Sequence, residues 1–211
     1  MKFRQSIVWL LLLALPIISF AQAPKTYDLQ QLLKEKKFTF VLPKPFPKTD
    51  AGKQGISFTG IAWLNGVEFS TGTIEVDLRG QDFFQRSFIG IVFHGVDSAT
   101  YDVVYFRPFN FQAEDPVRRI HAVQYMTLPE FPWHKLRDEH NGIYEKAIDP
   151  APKATDWFHA KIEVTAEEVK VYVNNAATPS LAVKKLNTHK NGKIGLWNEG
   201  LEGDFANLVI K

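Results

Sequence analysis

Flat rings and forked hydrogen-bonding groups crowd the middle of this chain: Tyr105, Arg107, Arg118, Arg119, His121, Gln124, Tyr125, Trp133 and Arg137, with His94 upstream. Sugars offer apolar C–H faces to aromatic planes and rings of hydroxyls to planar donors, so this mixture suits carbohydrate contact. The same residues admit a plainer use. The arginines would pair with Glu114, Asp115, Asp138 and Glu139 to pin a long loop, and Trp133 would fill a small satellite core. Carboxylates available as acid and base for glycoside cleavage are Asp102, Glu114, Asp115, Glu130, Asp138 and Glu139, and their spacing selects no pair. A third use, a structural or protein-binding sandwich, would show an exposed apolar patch in place of a polar-lined cleft.

Other chemistries find less support. The chain has no cysteine, which excludes disulfides, thiolate metal sites and cysteine nucleophiles. His94, His121, His134, His140 and His159 form no His-x-x-x-His or Glu-x-x-His pair, and no nucleophile elbow accompanies them. No cofactor is expected; a structural Ca²⁺ on loop carboxylates and carbonyls stays open, without a ligand-spaced loop to hold it.

The elements that must carry the candidate residues are strands. From Gly72, Ile74, Val76 and Leu78 alternate with Thr73, Glu75, Asp77 and Arg79, the period of a strand with one wet face. Phe88 to His94 is apolar on both parities, with Ile89, Ile91 and Phe93 on one face and Phe88, Gly90, Val92 and His94 on the other. Tyr101 to Arg107 sends Val104 and Phe106 one way and Tyr101, Val103, Tyr105 and Arg107 the other; Pro108, lacking an N–H, should end it. The odd-numbered face is expected to floor an open hollow, with Gly90 leaving a notch.

Elsewhere, Asp28 before Leu29, Leu32 and Leu33 predicts a short capped helix, and Lys37 to Leu42 a strand. Pro43, Pro45 and Pro47 predict a stiff connector, and Asn65-Gly66 a turn reversing Ser57–Leu64 into Val67–Phe69. The irregular stretch from Asn110 to Ala147 should hold a strand near His121–Met126 and an ordered loop at Pro129–Trp133. Phe158–Val164 and Val169–Val173 form a hairpin, and Leu181–Leu186, Gly192–Trp197 and Phe205–Ile210 close the chain. With no helical periodicity after residue 37, the fold class is all-β, a two-sheet antiparallel sandwich with one short N-terminal helix.

Lys2 and Arg4 precede an apolar run, Ile7–Leu15, and then Ser19-Phe20-Ala21, the form of a signal peptide over residues 1–21. The run is shorter than the ~20 residues of a spanning helix. Residues 22–54 would be an extension with the helix and the proline connector, and 55–211 the sandwich. Lys+Arg number 25 and Asp+Glu 23 over the 211 residues; removing Lys2 and Arg4 brings the formal charge to zero. Such a protein has no net field to gather a phosphate backbone, so no nucleic-acid partner is expected. A periplasmic or secreted product without a membrane anchor is expected, its oligomeric state unspecified.

The order Gly72-Thr-Ile-Glu-Val-Asp, Trp157-Phe-His-Ala-Lys-Ile-Glu-Val, Val171-Tyr-Val-Asn, Gly192-Lys-Ile-Gly-Leu-Trp and Phe205-Ala-Asn-Leu-Val-Ile resembles the concanavalin A-like lectin/glucanase jelly rolls, including laminin-G-like modules. Within them, Tyr101–Asn110 with Val117–His121, Gln124 and Tyr125 is similar to a bacterial exported group and, distantly, to the 3-keto-disaccharide hydrolase domains. The resemblance implies a concave sheet bearing the ligand, with Tyr105 and Arg107 on its floor. Glucanases of this superfamily carry Glu-x-Asp-x-Glu on one strand; here Glu75-Val-Asp77-Leu-Arg79 puts arginine in the third place, where no proton-donating acid remains.

Overall fold

A computed structural model describes residues 23–41 and 44–211; the expected signal segment lies outside the described residues. Among the described residues there are thirteen strands: β1 (Lys25–Tyr27), β2 (Phe38–Val41), β3 (Phe46–Asp50), β4 (Lys53–Phe69), β5 (Gly72–Arg79), β6 (Ser87–Gly95), β7 (Tyr101–Phe106), β8 (Val123–Leu128), β9 (Glu145–Lys146), β10 (Phe158–Val164), β11 (Glu168–Val173), β12 (Leu181–Lys184) and β13 (Gly192–Ile210). Three short α-helices, α1 (Leu29–Lys34), α2 (Pro116–Arg119) and α3 (Trp133–Glu139), and one 3-10 turn, Pro108–Asn110, accompany them in the described residues. All strand pairings are antiparallel, in the order β12-β11-β10-β5-β13-β6-β7-β8-β9, with β4 alongside β13.

This network folds over on itself. β13 pairs with β6 through Lys193–Gly200 and with β5 through Asp204–Ile210, so it belongs to both layers. The inner faces of β6, β7 and β8 then meet those of β5, β10 and β11 in one core, where Phe106 packs edge-to-face on Phe158 at 5.0 Å. The alternation at Ile74, Val76 and Leu78, and at Phe158, Ala160, Ile162 and Val164, is buried there as expected. The result is the antiparallel jelly-roll sandwich.

Local differences from the sequence reading have physical causes. Asn65-Gly66 does not reverse the chain: β4 runs through it, spending five residue steps to two on β13 between the Glu68–Lys193 and Trp63–Gly195 pairs. The excursion is a bulge, with Gly66 at φ 72 and the Asn65 N–H donating to Lys37 O at 2.9 Å. Gly192–Trp197 and Phe205–Ile210 are likewise one strand. Pro47 sits inside β3, tolerated because β3 is an edge that, among the described residues, pairs only with β4. Asp28 caps α1, accepting from the Gln31 N–H at 3.0 Å, but helices also occur after residue 37. α2 and α3 bury no residue and one residue, Leu136, respectively, too little apolar surface to print a helical period on the sequence.

Candidate functional site

The strand ladders assemble the site row by row. Ile61 of β4 opposes Trp197 of β13, which opposes Gly90, then Tyr105, Gln124 and finally Glu145 of β9. Residues directly opposite in a ladder share a face, so these six line one face of the sheet. A second row, Trp63, Gly195, Val92, Val103 and Met126, lies beside it. A satellite core of Trp63, Tyr101, Val103 and Met126, capped by Leu136 of α3, covers part of this face. The remaining hollow, over the Tyr105 end, has a volume of about 510 Å³.

Its floor is a tightly bonded cluster. Arg107 Nη2 donates to the Tyr105 hydroxyl at 2.6 Å and to Gln124 Oε1; Nη1 donates to His121 O at 3.0 Å and Glu145 Oε2 at 3.3 Å. The Tyr105 hydroxyl itself donates to Gln124 Oε1 at 2.6 Å. Arg137, on α3, grips the same carboxylate with two prongs, Nε to Oε1 at 3.0 Å and Nη2 to Oε2 at 2.9 Å. His121 Nδ1 lies 2.8 Å from Glu145 Oε2, off the line of a hydrogen bond. Burial pushes the Glu145 carboxyl up, but Arg137, Arg107 and His121 outweigh it and hold the group below its ordinary range. Burial takes the Tyr105 phenol up to about 12.

The walls carry the open surfaces. Trp133, 47% exposed, has the Arg137 guanidinium 5.2 Å from its ring centre. Arg118 stands 4.4 Å from the ring centre of Phe84, donating to Phe109 O at 2.7 Å and Asn110 Oδ1 at 3.3 Å. Phe84, Phe109 and Phe88 pack edge-to-face along this wall, and Glu199 of β13, the ladder partner of Phe88, also lines the cleft. Among the described residues no three His, Asp or Glu side chains converge as a metal ion would need.

Residues 62–211 match the model of the 3-keto-alpha-glucoside-1,2-lyase-like domain. The chain belongs to that family. Every residue lining the cleft falls inside the matched span. No curated protein matches the chain in sequence. Solved structures of the same fold include the carbohydrate binding module CBM66 from Bacillus subtilis (15% identity, 83% of this chain and 96% of that one, TM-score 0.56). They also include a putative glycosyl hydrolase from Parabacteroides distasonis (14%, 89% and 98%, 0.54) and a Bacillus licheniformis beta-glucanase (14%, 83% and 82%, 0.50). These likenesses bear out the jelly-roll fold.

In this 3-keto-alpha-glucoside-1,2-lyase-like domain the sequence candidates divide. Tyr105, Arg107, Arg118, His121, Trp133 and Arg137 line the cleft. Gln124 shares its face but is fully buried beneath the floor. Arg119 turns outward and donates to Ala113 O at 3.1 Å. Tyr125 must point away from its neighbour Gln124, and it does, stacking on Phe93 in the core with its hydroxyl 3.2 Å from Asp102 Oδ1. His94 is also corrected. β6 advances from Val92 to Gly95 while β13 advances only from Gly195 to Lys193, and this bulge, with His94 at φ 51, turns the imidazole off the cleft face. Fully buried, it sits 2.6 Å from both Asp102 Oδ2 and Ser70 O.

Gly90 is no notch for a ligand. A Cβ there would lie 2.0 Å from Val104 O, so the glycine answers the close approach of β7, and Trp197 and Tyr105 meet above it at 5.2 Å. The six carboxylates considered for hydrolysis do not line the cleft. Asp102 is buried on the core face, and the other five are exposed elsewhere, Asp115 capping α2. Glu75, Asp77 and Arg79 point outward from β5 into ion pairs with Lys211, Lys53 and Asp204 at 2.6 Å each. Hydrogen bonds to Asp77 from His159, Lys53 and Asn207 outweigh its burial and bring it to about 2. Sequence reasoning missed Glu145 and Glu199. The first sits on a two-residue strand too short to show a period, the second at a bend in β13.

Proposed function

We propose that this domain is an exported saccharide-binding protein whose ligand occupies the cleft above Tyr105. One observation carries the reading: a half-exposed indole, Trp133, and three guanidiniums, Arg107, Arg118 and Arg137, converge on one hollow of about 510 Å³. An aromatic plane takes the apolar face of a pyranose, and the fork-shaped donors take its hydroxyls. The family and the carbohydrate binding module among its structural neighbours support the same reading. Export is supported by the charged and then apolar N-terminal segment. The test is calorimetric titration with a panel of oligosaccharides against wild type and Trp133→Ala. A wild type that binds sugars and a variant at least about tenfold weaker are expected, since losing a stacking surface costs on the order of 1.4 kcal/mol or more; a wild type that binds no saccharide refutes the reading.

A second reading follows from the family and from the placement of His121. A 1,2-elimination of a 3-keto glucoside needs a base for the C2 proton, which the adjacent ketone acidifies, and a cation for the enolate oxygen formed by that proton transfer; the enolate collapses to the enone as the C1–O bond breaks. His121, beside Glu145, is the candidate base; an arginine of the floor is the candidate cation. The leaving sugar oxygen takes up a proton and departs as an alcohol. Such chemistry dispenses with the carboxylate pair that hydrolysis requires. Sugar release from a 3-keto-disaccharide, abolished in His121→Asn with binding retained, would establish it.

A further inference from the structure

The charges around the cleft do not balance. Arg107 and Arg137 share one carboxylate, Glu145. Arg118 has none: its acceptors are Phe109 O and Asn110 Oδ1, both uncharged, and no carboxylate of the described residues lies within 4 Å of it. Asn110 then ties the two arginines together without adding charge. Its Oδ1 accepts from Arg118, and its Nδ2 donates at 3.2 Å to His121 O, the carbonyl that also accepts from Arg107. Against three guanidiniums the cleft sets Glu145 below the floor and Glu199 at the exposed rim, which makes no ion pair with a described residue.

Part of this charge is held where charge is costly, and Arg118 is itself part-buried. The Arg107 side chain is 7% exposed and its Glu145 counter-ion 3%, and buried cations ordinarily have anions to themselves. A neutral sugar would satisfy N–H groups yet leave the excess unmet. A carboxylate would meet it, and its planar pair of oxygens fits the fork of a guanidinium. The bulk charge does not explain the pattern, since the chain without residues 1–21 is formally neutral; the positive field is local to the cleft.

We propose that the ligand of this cleft is an acidic saccharide, a hexuronate whose carboxylate is received by Arg118 beside the Arg107–Arg137 pair. The proposal rests on the saccharide-binding reading above and narrows it. Titration with oligogalacturonate, oligoglucuronate and oligomannuronate, with their methyl esters, and with a sulfated galactan tests it. At least one uronate binds about tenfold or more tighter than its ester, as expected for a charge-assisted contact, and the preference shrinks as salt is raised. Arg118→Gln brings the acid-to-ester affinity ratio, read within each variant, to about one; Arg118→Lys, which keeps charge but not the fork, retains part of the preference. Equal affinity for acid and ester, binding of neutral sugars alone, or preference for the sulfated galactan overturns the proposal while leaving saccharide binding intact. Binding of no sugar, acidic or neutral, overturns both.

Discussion

Replacing Glu145 by glutamine probes the charge cluster directly. The carboxylate takes two hydrogen bonds from Arg137 and one from Arg107, with His121 Nδ1 at 2.8 Å, and the amide substitute turns an N–H₂ group toward guanidinium donors. Removing one member of a buried ion pair costs about 3–5 kcal/mol, because the survivor is left charged in a poor solvent. Arg107, 7% exposed, cannot escape; Arg137, 34% exposed, can swing into water, which places the cost near the lower bound, about 3 kcal/mol. For a protein of this size that corresponds to a melting temperature lower by roughly 6–12 °C at pH 7. The pH dependence adds a second signature. The folded carboxyl is held below its ordinary value, so its contribution is complete above the unfolded pKa of about 4.3 and is lost as pH falls through the folded value. Thermal melts from pH 7 to pH 3 should therefore show the gap between wild type and Glu145→Gln at its widest at neutrality and closing in acid. A variant melting within about 2 °C of wild type at pH 7, or a gap independent of pH, refutes the reasoning.

Two further outcomes follow. Gly90→Ala places a methyl 2.0 Å from Val104 O and 2.6 Å from Tyr105 Cα, both backbone, so β6 and β7 must separate; a loss of about 3 kcal/mol or more in urea unfolding is expected, and a change under 1 kcal/mol contradicts the contact. Asp77 titrates near 2 in the fold against 3.8 ordinarily, so its stabilisation is complete above about pH 4 and fades toward pH 2, worth on the order of 2 kcal/mol; Asp77→Asn should flatten urea stability across that window, and an unchanged slope removes the assignment.

Much of the architecture was legible because it is local. The alternation of Ile74, Val76 and Leu78, the stop at Pro108, the Asp28 cap and the hairpin of β10 and β11 are set by side-chain period and by what proline and aspartate do to nearby backbone. The odd-numbered face of β7 was legible for the same reason, and it carries Tyr105 and Arg107 onto the cleft floor as expected. Where the reading failed, distant partners overrode the local signal. Asn65-Gly66 has turn chemistry, yet β13 and β2 pair alongside β4 and keep it a strand. His94 has the right parity, and one bulged residue reverses it.

Composition and period by themselves determined a β-sandwich, the face that Tyr105 and Arg107 occupy, and a stock of arginines and rings for its surface. The tertiary structure decided which of those arginines are neutralised. Charge pairing depends on which strands lie side by side: β9 delivers Glu145 beneath Arg107 and Arg137 by pairing with Gln124, whereas no element among the described residues delivers a carboxylate to Arg118. That difference lies in distances between side chains far apart in the chain, and no local pattern of residues records it.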